Sequence, residues 1–203
     1  MDFKASVEKL SIEEKVRLLT GEDFWTTYAL PNIGLRKMVV SDGPSGVRGE
    51  LWDERSPSLS LPSATAFAST WDIDVLRRVG EVMAHEARSK NVDVVLGPTI
   101  NLHRSPLGGR HFEAYSEDAV LSGKLASAFV NGIQGQGVGA CLKHFVANDA
   151  ETDRHTVNNI LDDETLREVY ALPFEIAVRD SNPWTIMSAY NRVNGPKMAA
   201  SPL

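Results

Sequence analysis

One cysteine, Cys141, is all the sequence has, so no disulfide can close within its 203 residues. There is no Asn-X-Ser/Thr acceptor, and Met1-Asp2-Phe3-Lys4-Ala5 has no apolar stretch behind its charges, which reads against a secretory signal. No run approaches the roughly 18 apolar residues that span a bilayer. Basic side chains are in deficit, 21 against 27 acidic for a net charge of −6, and they are scattered among the acids, so no phosphate-neutralising surface is expected. Disorder is equally poorly supported, with 42% hydrophobic and 24% charged residues. These absences leave a globular protein of a reducing, cytoplasmic compartment, with neither nucleic acid nor membrane as partner. Cys141 sits between Ala140 and Leu142 and reads as a buried, inert thiol. A compact chain of 22.3 kDa would hide about 70% of the surface its unfolded form exposes, leaving roughly 9,400 Å² accessible.

What is present is an alternation of short apolar runs with helical periods. Ser11-Ile12-Glu13-Glu14 is a capping box opening a short helix, with Gly21 in the place of its C-terminal glycine. Strands are expected over 37–42, 64–68, 92–98, 138–145 and 184–190. Asp72 caps a helix whose Ile73, Leu76, Val79, Met83 and Ala87 recur at helical spacing; Ser116 opens another with Leu121, Leu125, Ala128, Phe129 and Gly132 on one face. Asp163 caps a third through about Val178, bent near Pro173. Trp25 and Trp71 read as core. Strands so short and continuously apolar are covered on both faces, which implies a parallel α/β sheet, either open and doubly wound or a barrel.

No G-x-G-x-x-G follows the first strand, and Gly135-Gln136-Gly137-Val138-Gly139 precedes a strand, so it reads as a helix-to-strand loop. The polar residues decide between the two architectures. Asp42, His103-Arg104, Lys143-His144 with Asn148, and Tyr190-Asn191 all lie at or past C-terminal strand ends, the face where barrel sites assemble. About five β/α units fit into 203 residues whereas a closed barrel needs eight, so the expected fold is α/β, an incomplete (β/α)8 TIM-type barrel over 1–203. Its rim offers a carboxylate (Asp42), guanidinium groups (Arg110, Arg154), an ammonium (Lys143), an imidazole (His144) and a phenol (Tyr190). A phosphate would gain nothing from Asp42, whereas adjacent sugar hydroxyls are satisfied by mixed donors and acceptors. Asp149 to His155 resembles a metal cluster in composition but reads as a solvated loop, with no metal-ligand spacing, and no cofactor is expected.

Four ordered segments carry a resemblance. Ser41-Asp42-Gly43-Pro44-Ser45-Gly46-Val47-Arg48, Gly108-Gly109-Arg110-His111-Phe112-Glu113 with Ser116-Glu117-Asp118, Lys143-His144-Phe145, and Met187-Ser188-Ala189-Tyr190-Asn191-Arg192-Val193-Asn194-Gly195 resemble the N-terminal barrel domain of glycoside hydrolase family 3, in its β-glucosidase branch. The resemblance implies a retaining glycosidase acting on terminal β-linked glucosyl residues of β-glucosides or short oligosaccharides, without metal or organic cofactor. It places sugar-binding groups on Asp42, Arg110, Lys143, His144, Arg154 and Tyr190. It also implies that the nucleophile, an aspartate at the end of the next strand, and the acid/base, a glutamate of a separate C-terminal domain, lie outside these residues, so that the 203-residue chain alone is inactive. Two other readings stay open: a β-xylosidase of the same family, and a non-catalytic or vestigial sugar-binding product of a truncated gene. Glu113 is expected to partner a nearby arginine or backbone amide, Arg48 to support the first loop, and Trp52 either to stack on an aglycone ring or to cover the rim.

Overall fold

A computed structural model describes residues 3–50 and 53–202; Trp52 lies outside the described residues. Two short helices, α1 (Phe3–Glu8) and α2 (Ile12–Arg17), open the chain, the second with both arms of the Ser11/Glu14 capping box formed. It ends at Leu18, and Gly21 pairs with Thr27 in an antiparallel bridge instead of capping it. The sheet then begins with β1 (Val40–Asp42), the C-terminal half of the apolar run predicted there.

Residues 64–68 form a helix, α3 (Ala64–Ala68), where a strand was expected, because Ser63 accepts from the Ala66 amide and nucleates a turn. Trp71 follows it with a left-handed backbone (φ 54) and is 77% exposed, so it is a turn residue and not core; Trp25 is half-buried beneath the Arg48 guanidinium, 4.1 Å from its ring. Asp72 caps α4 (Ile73–Ser89), which leads to β2 (Val94–Leu96). Asp118, two residues after the expected start, caps α5 (Ala119–Gln134), and the loop through Gly137 enters β3 (Gly139–Phe145). Two residues form β4 (Asn158–Asn159). Asp162 then caps α6 (Asp163–Thr165), which runs through a π-helical turn, Leu166–Tyr170, into α7 (Leu172–Ser181). Pro173 stands in the first turn of α7, where its missing N–H costs nothing, so the break in the predicted continuous helix falls just before it. The chain continues through β5 (Thr185–Ser188) and β6 (Arg192–Val193).

The four principal strands pair in parallel in the order β1-β2-β3-β5, four where five were expected, since 64–68 is helical. Leu76 and Met83 of α4 and Phe129 and Ile133 of α5 seal the core above Val95, Ala140 and Leu142 of the sheet. A sheet open at β1 and β5 leaves 11412 Å² accessible, more than the roughly 9,400 Å² of a compact protein this size. Among the described residues, no helix is long and apolar enough to cross a membrane.

Candidate functional site

Parallel strands end on one side of their sheet, and the loops that leave them there carry the polar residues. Lys143 and His144 stand near the end of β3; Thr99 and Asn101 follow β2, Thr99 bridging to Lys143 and Ala114. A second parallel pair, β4 with β6, joins the loops beyond β3 and β5.

Glu113 is the hub. Its side chain is 5% exposed; one oxygen pairs with the Arg110 guanidinium, the other lies 3.4 Å from Lys143 Nζ and 3.2 Å from Thr99 Oγ1, its donor. Arg110 lies 3.6 Å from Glu151, whose other oxygen accepts from Arg154 at 2.7 Å, while Asn148 donates to the first at 3.2 Å. Arg154 in turn lies over the Tyr190 ring at 5.5 Å, which His155 also packs against. Of the six residues singled out in the sequence, Arg110, Lys143, Arg154 and Tyr190 therefore belong to one contiguous web. His144 is buried beside it, close enough for the charges of Arg110, Lys143 and Arg154 to act on its ring. Asp42 ends β1 opposite Leu96, at the same end of the sheet; its carboxylate is exposed and has no hydrogen bond or ion pair among the described residues.

Three groups escaped the sequence reading. Asn101 is buried and holds His144, and its one visible signal is its place just past β2. Glu151 and Asp149, read as a solvated face, are not: Glu151 links two arginines, and Asp149 accepts from the Leu102 amide at 2.9 Å. A cleft of about 480 Å³ opens beside the web, walled by Arg104, Gly108, Gly109, Asp149, Glu151 and Asn159.

A glycosyl hydrolase family 3 N-terminal domain profile matches residues 22–203. The chain belongs to glycosyl hydrolase family 3. Within the family, β-glucosidase B of Emericella nidulans is 47% identical over 193 residues, which is 95% of this chain and 23% of that protein. The crystal structure of β-glucosidase from Kluyveromyces marxianus in complex with glucose superimposes with a TM-score of 0.95 at 45% identity, over 98% of this chain and 24% of that one. β-Glucosidase 3B from Thermotoga neapolitana, in complex with α-D-glucose, gives 0.92 at 42% identity, over 98% and 30%. The chain spans about a quarter of the length of the curated relatives it matches.

In this family 3 domain, burial drives two titrations in opposite directions. It lifts the Asp149 carboxyl from 3.8 to about 6, against the lowering effect of the Leu102 amide and Arg104. It drops the His144 imidazole from 6.5 to about 3, helped by Arg110, Lys143 and Arg154. Folding favours protonated Asp149, so that group's contribution is full below about 3.8 and lost as pH rises through about 6. Folded His144 refuses a proton the unfolded chain accepts, so its contribution falls as pH drops from about 6.5 toward 3. Asp149→Asn keeps an acceptor for Leu102 and removes the charge. It is expected to stabilise the domain by about 2 kcal/mol near pH 7.5 and by almost nothing near pH 3.5, read from urea midpoints. An equal shift at both pH values would count against burial as the cause.

Proposed function

We propose that these residues form the sugar-gripping part of a retaining β-glucosidase site, with terminal β-linked glucosyl residues as substrate and Asp42, Arg110, Lys143, His144, Arg154 and Tyr190 as the groups that hold the ring. The observation that carries this reading is the cationic web at the C-terminal strand ends, in a domain 45% identical to an enzyme crystallised with glucose. The cations and imidazole near the end of β3, with the exposed Asp42 carboxylate at the same end of the sheet, present both donors and acceptors to vicinal hydroxyls. As the ring flattens toward an oxocarbenium ion these bonds tighten, and the cations hold a neighbouring carboxylate nucleophile ionised.

Double displacement needs two carboxyl groups about 5.5 Å apart across the scissile bond, one to attack and one to donate a proton. Glu113 and Glu151 are already committed to Lys143, Arg110 and Arg154, which supports assigning both catalytic roles to sequence beyond these 203 residues, including a further C-terminal domain. A cytosolic setting fits the single buried Cys141 thiol, whose proton burial makes harder to lose. The expected result is glucose binding by calorimetry with no release of nitrophenol from a nitrophenyl β-glucoside by the 203-residue chain. Turnover well above the buffer blank would overturn this division of roles.

A further inference from the structure

Asn101 touches His144 three times. Its Nδ2 donates to the His144 carbonyl at 3.0 Å, and its Oδ1 accepts from the His144 amide at 2.9 Å. A backbone carbonyl can only accept and a backbone N–H can only donate, so these two bonds fix which end of the Asn101 amide is oxygen. The same Oδ1 lies 3.0 Å from His144 Nδ1. An oxygen with no hydrogen can only accept, so Nδ1 must carry the ring proton. His144 Nε2 has no hydrogen-bond partner among the described residues, and the ring lines a small cavity with Arg110, His111, Asn148 and Asp149.

We infer that Asn101 is a positioning residue that locks His144 as a neutral imidazole protonated on Nδ1, leaving Nε2 as a hydrogen-bond acceptor toward the cavity. The Nδ1 proton is fixed by geometry and the neutral ring by its burial among Arg110, Lys143 and Arg154; its use for substrate rests on the glucosidase reading above. A sugar hydroxyl meeting His144 must then donate, whereas Lys143 and Arg110 can only donate to the oxygens they meet. Vicinal hydroxyls are thereby read in one rotational sense, each with its proton assigned. Charge on the ring is opposed by Lys143 of β3, Arg110 of the loop after β2 and Arg154 of the loop after β3, with Asp149 and His111 also bordering the cavity. Imidazolium, with a donor at Nε2, would lose the acceptor.

The test is nitrogen NMR of the 203-residue chain labelled at its histidines, with the His144 resonances assigned by their disappearance in His144→Gln. Wild type is expected to show Nδ1 in the protonated range and Nε2 in the unprotonated range, unchanged from neutral pH down to about pH 4. Asn101→Leu is expected to shift the ring toward the Nε2–H form that free histidine favours. Asn101→Asp, with a carboxylate against Nδ1, is expected to give imidazolium at a pH where wild type is neutral. A protonated Nε2 in wild type, or a tautomer indifferent to Asn101→Leu and Asn101→Asp, would overturn the lock. If Asn101→Leu fails to fold, the wild-type spectrum and Asn101→Asp still decide. Glucose addition separates the two claims: an Nδ1–H ring whose Nε2 resonance ignores glucose upholds the lock and overturns sugar binding at His144.

Discussion

Glu113→Ala is expected to cost about 3–5 kcal/mol, the range for removing one partner of a buried ion pair and leaving the other charge uncompensated. The side chains of Glu113 and Lys143 are 5% and 3% exposed, so water does little to screen or replace the lost carboxylate. Thr99 Oγ1 loses its acceptor and Arg110 its closest counter-charge in the same step. For a domain of this size each kcal/mol moves the thermal midpoint by roughly 2–4 °C, so a fall of roughly 10 °C is expected. Glu151→Ala is the comparison. Glu151 and Arg154 are 22% and 35% exposed, and that loss should stay near 1 kcal/mol. Glu113→Gln combined with Lys143→Met removes both charges at similar volume. It should recover most of the stability while glucose binding is lost with the Lys143 ammonium, which separates the ion pair's structural role from its recognition role. A midpoint for Glu113→Ala within about 3 °C of wild type would remove Glu113 from the centre of the web.

The strands that contribute most to the core were also the most visible in sequence. Residues 92–98 and 138–145 are apolar but for Asp93, Lys143 and His144, each follows a segment of helical period, and β2 and β3 fall inside them. Residues 64–68 offered no period to count: Ala-Thr-Ala-Phe-Ala is too short, and the Ser63 cap that makes it helical lacks the glutamate of a capping box. At the site, residue types and strand-end positions pointed to Lys143, His144 and Arg110. The pairing of Glu113 with Lys143 spans thirty residues and depends on how two loops fold over β3, which no local spacing encodes. Asn101 was invisible for a related reason. Its role is defined by three atoms of His144, forty-three residues away, and an asparagine in a loop ordinarily signals a turn. Trp71 is apolar enough to read as core, yet it stands between the end of α3 and the Asp72 cap of α4, a turn position that leaves it exposed.

The site also depends on a contact far from its chemistry. Two glycines face each other where α4 crosses α5. A Cβ on Gly132 would stand 2.1 Å from the Arg77 carbonyl oxygen, and one on Gly80 would stand 2.3 Å from that of Phe129. Both obstacles are backbone, so no side-chain rotation relieves them. Glycine inside a helix is disfavoured by about 1 kcal/mol relative to alanine, which on propensity alone makes Gly132→Ala stabilising. The contact reverses the sign: admitting the methyl requires the helices to separate, opening the layer of Leu76, Met83, Phe129 and Ile133 that packs between them and the sheet. Gly132→Ala is expected to destabilise by about 3 kcal/mol or more, again roughly 10 °C in thermal midpoint. The double variant with Gly80→Ala should cost less than the two single losses added, because once the helices have parted the second methyl finds room. These helices flank β2 and β3, whose ends carry Asn101 and Lys143-His144. Gly132→Ala is therefore also expected to weaken glucose binding although no site residue has changed. A midpoint at or above that of wild type would show that the helices do not approach this closely.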